Sequence, residues 1–199
     1  MPDPSDTYER MRAGLPYPAP DAQIMALQAA AAKGYIAVNA TEGDDDPTRR
    51  IELRREYLGS FGASFLIPTG RWEFGRHIFI GDTCLVNTGA TFLDGADIRI
   101  GDFTLIAPNC TLSTAAHPVL PEERIILDER GTFQNAVCSN APITIGSHCW
   151  IGAGTVILGG VTIGVGTTVG AGSVVTKSLP ARCVAVGAPA RVIRHLPQP

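Results

Sequence analysis

Aromatic side chains make up only 7% of the 199 residues, and tryptophan occurs twice. A core assembled mainly from large rings is thereby ruled out. Excess charge of one sign is lacking as well: 16 Lys and Arg stand against 19 Asp and Glu, a net charge of −3. That balance gives no reason to expect nucleic acid or an anionic membrane as the main partner. No apolar run approaches the roughly 20 residues that a membrane-spanning helix needs. The opening MPDPSDTYERMRAG has no apolar stretch of the signal-peptide kind, so a cytoplasmic location is expected. Five cysteines (Cys84, Cys110, Cys138, Cys149 and Cys183) form no CxxC pair and no even-numbered framework. Reduced thiols are the expectation, and no metal site.

Glycine (22) and proline (15) are plentiful, as befits a chain of many tight turns. From residue 78 onward the hydrophobic period is six. Ile80, Val86, Phe92 and Ile98 keep it, then the frame slips by two and resumes at Ile100, Ile106 and Leu112. It returns, unbroken, at Ile145, Ile151, Ile157, Ile163, Val169 and Val175. Neither a helical nor an alternating template gives this spacing, whereas a fixed internal period marks a solenoid. A six-residue unit is a short strand plus a turn with its aliphatic marker inside. The position two residues earlier must also face in, and Ile143, Cys149, Thr155, Val161, Thr167 and Ser173 fill it, with Cys84 and Cys110 in the same phase. Packing, not reactivity, is the reading for those three cysteines.

Residues 1–60 carry helical signals instead. Ser5 is placed to cap a short helix ending at Gly14. Asp21 caps AQIMALQAAAAKG, with Gly34 expected just past its end. Asp46-Pro47 opens TRRIELRREYL, which Gly59 stops. The organisation expected is a helical segment over 1–60, a repeat region over 61–187 and a tail over 188–199. Within the repeats, residues 113–141 break the period, and a long excursion from a solenoid is functional or disordered. It opens Ser113-Thr114-Ala115-Ala116-His117-Pro118. A histidine where a regular repeat gives way to an extruded loop is a candidate proton acceptor at neutral pH.

The stretches IRIGDFTLIAPNCTLSTAAHP, PITIGSHCWIGAGTVILGGVTIG, VGAGSVVTKSLP and GAPARVIR together resemble the maltose, galactoside and nodulation O-acetyltransferases of the hexapeptide-repeat acyltransferases. YERMRAGLPYPAPD resembles that family's N-terminal segment. The resemblance implies a left-handed parallel β-helix, an all-β solenoid, assembled as a homotrimer with sites between subunits. It implies acetyl-CoA as donor and a small-molecule hydroxyl acceptor, with His117 as general base. Asn87 would position the acceptor and stabilise the oxyanion, although a turn residue after Val86 reads almost as well. The donor would meet backbone near Ala107, Ala153 and Ala171, with Thr176, Lys177, Arg191 and Arg194 toward its phosphates. Trp150 would wall the cleft, or merely pack at a corner.

On the acceptor side the resemblance points to Asp21, Glu73 and Asp94. Four departures separate this chain from the galactoside enzymes: Glu73 stands for a shorter acid or serine, Gly95 for a second aspartate, Ala30 for an arginine, and the loop from His117 to Pro142 is longer. Other readings are an acetyltransferase acting on an antibiotic or amine, a zinc enzyme using His77, His117 and His148, and a non-catalytic scaffold. The zinc reading needs three histidines converging on one metal, and these fall in different phases of the repeat.

Overall fold

The architecture was taken from a computed structural model, which describes residues 6–63, 65–66 (by backbone) and 70–197. Three helices come first. Thr7–Arg12 (α1) is capped by Asp6, whose carboxylate accepts from Glu9 N–H; Ser5, the cap expected from sequence, lies outside the described residues. Ala22–Asn39 (α2) is capped by Asp21 as expected, through Ile24 N–H at 3.0 Å. Thr48–Tyr57 (α3) follows Pro47, and Asp46 accepts from Thr48 N–H at 2.8 Å.

Gly34 does not end α2, contrary to expectation: the helix runs five residues beyond it, to Asn39. A Cβ at Gly34 would lie 2.5 Å from the ring of Tyr57. The glycine lets α2 and α3 touch; it is a packing residue, not a stop signal.

The rest of the chain winds into a parallel solenoid with three faces. The first face stacks Ser60–Phe61, Ile78–Ile80, Ile98–Ile100, Ile143–Ile145 and Thr162–Ile163. The second stacks Phe65–Leu66, Leu85–Val86, Leu105–Ile106, Trp150–Ile151, Thr168–Val169 and Cys183–Val186, and Arg191–His195 adds an antiparallel edge. The third stacks Gly70–Trp72, Ala90–Leu93, Thr111–Ser113, Val156–Leu158 and Val174–Val175. Ile145 pairs with Ile163, eighteen residues on, so three hexads make one coil. In the lower coils Ile80 pairs with Ile100, twenty residues on. The two extra residues fall at the corner after Leu93, and they are the frame slip seen in the sequence.

The hexad markers form the core. Ile145, Ile151, Ile157, Ile163, Val169 and Val175 are at most 1% exposed, and so are Cys84, Cys110, Cys149, Thr155, Thr167 and Ser173 in the second inward slot. Each buried aliphatic stabilises by roughly 1.5–3 kcal/mol. The hydroxyls in the slot are satisfied by backbone, as in Thr155 to the carbonyl of Gly152 at 2.7 Å and Ser173 to that of Gly170 at 2.6 Å. The inward cysteines donate to carbonyls of the next coil, Cys110 to Gly152 at 3.2 Å and Cys149 to Gly164 at 3.2 Å. They are structural thiols.

The break in the repeat is an ordered arm. Ala115–Ala116 and Ile125–Leu127 both pair antiparallel with Phe133–Asn140, and a short helix, Pro121–Arg124 (α4), lies between the first two. The same long strand pairs with Tyr17–Ala19 of the N-terminal segment. Three buried side chains fasten this sheet to the solenoid. Asn140 Nδ2 donates to Tyr17 Oη at 2.9 Å, Asn140 Oδ1 accepts from Thr114 Oγ1 at 3.0 Å, and Thr114 Oγ1 is 2.7 Å from the carbonyl of Leu93. No helix among the described residues is long and apolar enough to cross a membrane.

Candidate active site

His117 stands at the root of the arm, one residue past Ala116, and is exposed. Its Nδ1 lies 2.8 Å from the carbonyl of Val137 on the facing strand. A carbonyl only accepts, so Nδ1 carries a proton, and in the neutral imidazole it is Nε2 that holds the lone pair. The antiparallel pairing Ala116↔Ser139 sets that distance. Cys138 Sγ sits 3.6 Å from the same Nδ1, and burial pushes the Cys138 thiol up, so the sulfur stays protonated beside the imidazole.

Glu73 and Asp94 lie behind this histidine. Glu73 is half-buried, and burial, with Asp94 adding to it, pushes its carboxyl up to about 7. It acts electrostatically on both Cys138 and Tyr17. Among the described residues its carboxylate has no hydrogen bond or ion pair. Asp94 is fully buried; its Oδ1 accepts from the amides of Glu73 (2.9 Å) and Phe74 (3.0 Å), while Oδ2 is buried with no partner among the described residues. Burial raises the Asp94 carboxyl, against the backbone hydrogen bonds that lower it. The neighbouring Gly95 has a steric cause: a Cβ there would lie 2.3 Å from Asn140 Oδ1. A second aspartate has no room. Asp21 is occupied as the cap of α2.

Asn87 sits elsewhere, at the corner between the second and third faces. Its Oδ1 accepts from Thr88 N–H at 2.8 Å, and its Nδ2 has no partner among the described residues. The same corner carries Ala107 and, one position further along their own coils, Ala153 and Ala171, which stack on each other. Each turn there passes through a left-handed residue, at Gly89, Asn109, Gly154 and Gly172 (φ 73°, 60°, 68° and 68°), a conformation that glycine and asparagine tolerate best. Ala153 and Ala171 are exposed residues, and their N–H groups have no partner among the described residues. Ala107 differs, since its N–H is spent on the carbonyl of Ile151 at 2.9 Å; only its carbonyl is available. Trp150 is on an outward strand face and 55% exposed, so it is not a corner packing residue.

Thr176 and Lys177 follow the top strand of the third face, both exposed, at the opposite corner. Arg191 and Arg194 lie on the C-terminal edge strand of the second face, also exposed. The structure thus gathers Glu73, Asp94 and His117 at one edge of the third face, and Asn87, Ala107, Ala153 and Ala171 at the other. Sequence reasoning missed Val137, whose carbonyl orients the imidazole, and Cys138 beside it. No local signal marks a backbone acceptor contributed from twenty residues away.

The three histidines of the zinc reading do not converge. His77 is 3% exposed, held by the carbonyl of Asp94 and by Tyr8 Oη at 2.9 Å, and burial lowers it to about 4. His148 is stacked on Phe103, ring centroids 4.8 Å apart. Among the described residues no group of three or more His, Cys, Asp and Glu side chains is arranged to hold a metal ion.

Comparison with known proteins agrees with this geometry. Residues 142–177 match the bacterial transferase hexapeptide (six repeats) model. Nodulation protein L of Rhizobium meliloti is 40% identical over 185 residues, covering 92% of this chain and 96% of its own. A maltose O-acetyltransferase from Clostridium difficile 630 superposes with a TM-score of 0.87 at 34% identity, over 96% of this chain and 98% of that one. A hexapeptide-repeat acetyltransferase from Vibrio cholerae, complexed with acetyl-CoA, gives 0.81 at 34%, over 97% and 100%. The solenoid is therefore the left-handed β-helix of hexapeptide-repeat proteins.

Proposed function

The chain belongs to the acetyl-CoA-dependent O-acetyltransferases of the hexapeptide-repeat type, and from that premise we propose that it acetylates a hydroxyl of a sugar or similar small acceptor with His117 as general base. One observation carries the proposal: the 2.8 Å contact of Nδ1 with the Val137 carbonyl, which leaves Nε2 as the outward acceptor. Nε2 takes the hydroxyl proton while the oxygen bonds to the acetyl carbonyl carbon. The carbon–sulfur bond then breaks, and the departing thiolate takes the proton back from the imidazolium. The Nδ2 donors of Asn87 stabilise the negative charge that develops on the carbonyl oxygen.

The residues present suit the donor. N–H groups at Ala153 and Ala171 that have no partner among the described residues lie at one corner, and Thr176, Lys177, Arg191 and Arg194 are exposed toward solvent, where phosphates would meet them. Trp150 offers an apolar wall. Glu73 faces the acceptor, Asp94 fixes Glu73 by holding its backbone amide, and Asp21 fixes the start of α2 beside them. Asn87 and His117 occupy opposite edges of one face, which supports a complete site that takes its two halves from two copies; with the family resemblance, the assembly we propose is a homotrimer. An outward apolar row on the second face, Leu105 at 45% and Trp150 at 55% exposure, supports contact between copies.

His117→Ala tests the base. Turnover should fall by roughly 10²-fold or more, the usual contribution of a positioned acid–base group. Acetyl-CoA binding and the melting temperature should hold, because an exposed loop residue supports few core contacts. Near wild-type turnover in the variant, measured as CoA release, would rule the mechanism out. Transfer to amines with none to hydroxyls would move the enzyme to the amine-acceptor class.

A further inference from the structure

Beside the site just described, a groove of about 490 Å³ opens between α2 and the outward side of the third face. Gln28 and Ala32 line it from the helix; Arg71, Glu73, Thr91 and Leu93 line it from the strands. Nothing in the donor chemistry or in the proton transfer uses it. The side chains of Gln28, Glu73 and Thr91 have no hydrogen-bond partner among the described residues. The Arg71 guanidinium lies over the Tyr35 ring, 5.8 Å from its centroid, and forms no ion pair among those residues. Tyr35 in turn meets Trp72 edge-on, ring centroids 5.9 Å apart. Arg71 is thus held in place by stacking while its donors remain uncommitted.

We propose that this groove is a second acceptor subsite, which takes another neutral, hydroxylated ring of an oligosaccharide acceptor. The reading rests on the O-acetyltransferase function above. The volume falls within the ~300–1,000 Å³ of typical ligand sites, which is ample for a further sugar ring. The lining holds one cation and one carboxyl group, so it presents no concentration of charge of either sign for a strongly anionic or cationic ligand. The lining pairs uncommitted polar groups with the apolar surface of Ala32 and Leu93, matching the hydroxyl edge and the C–H face of a pyranose. The groove also lies on the side of the reacting end: Glu73, which lines it, acts electrostatically on Cys138, and Cys138 Sγ is 3.6 Å from His117 Nδ1.

The test measures CoA release with glucose, maltose and maltotriose, and with N-acetylglucosamine and its β-1,4-linked dimer and trimer. In at least one series kcat/KM should rise about tenfold or more from one ring to two. Gln28→Ala and Arg71→Ala, made singly and together, should erase that gain, lowering the two-ring value at least tenfold more than the one-ring value. Two independent surface variants guard against misfolding of either one, and melting curves identify it. Acceptors used equally well with one ring or two, or a two-ring gain that survives the double variant, would overturn the subsite and leave acetyl transfer standing. Absence of CoA release with every acceptor would instead overturn the hydroxyl-acceptor reading and the subsite with it.

Discussion

Glu73 has a carboxyl that burial, and secondarily the Asp94 carboxyl, push up to about 7, with Arg71 acting in the opposite direction. An acid with a raised folded-state value binds its proton more tightly folded than unfolded. Its contribution to stability is complete below the unfolded value of 4.5, and it is lost as the pH rises through about 7. Glu73→Gln removes that loss, since glutamine has no proton to give up. The variant should therefore melt at about the wild-type temperature at pH 4, and higher at pH 8. A gain of about 1 kcal/mol, discounted for partial solvent screening, corresponds to roughly 2–4 °C in a chain of this size. Equal melting temperatures at pH 8, read by scanning calorimetry without ligand, would mean that the Glu73 carboxyl is well solvated.

Among the elements, α2 and α3 meet at a point that tests the reading of Gly34. Alanine there gains about 1 kcal/mol of helix propensity but places a methyl 2.5 Å from the Tyr57 ring, an overpacking that typically costs about 1–3 kcal/mol. Gly34→Ala should lower the melting temperature, and in a Tyr57→Ala background the same change should be neutral or stabilising. That reversal is the coupling signature of residues in contact; additive effects in thermal melts at fixed protein concentration would argue against the contact. Gly34 also shows where sequence reading stops. Glycine after a helical run signals a helix end by local rules, and only the distant Tyr57 explains why it sits inside one. The hexads were legible because each marker and its partner two residues earlier answer to one local period, and all of them proved buried. The arm was legible as a break at His117, but its pairing with Tyr17–Ala19 is a long-range antiparallel contact that no spacing reveals. The two-residue slip was visible too, whereas its consequence, a fully buried Asp94 holding the amides of Glu73 and Phe74, required the coordinates.

For the whole molecule the question is how many chains make one site. Asn87 belongs to the corner between the second and third faces, and His117 to the arm leaving the far edge of the third. A trimer in which each Asn87 faces the His117 of a neighbour makes a quantitative prediction that a self-contained subunit does not. Asn87→Ala and His117→Ala chains, each inactive alone, would be co-expressed in equal amounts with different tags. In any mixed trimer one junction joins an intact Asn87 to an intact His117, whichever variant is in the majority. Random threefold assembly makes three quarters of the trimers mixed, each with one good site of three, so about one quarter of wild-type turnover should return. If both residues served the same chain's site, every site would keep one lesion and mixing would restore nothing. Sedimentation equilibrium of the mixture must give the trimer mass for the comparison to hold. With that mass established, activity no higher than that of the separate variants would place Asn87 and His117 in one subunit's site, or remove Asn87 from the mechanism.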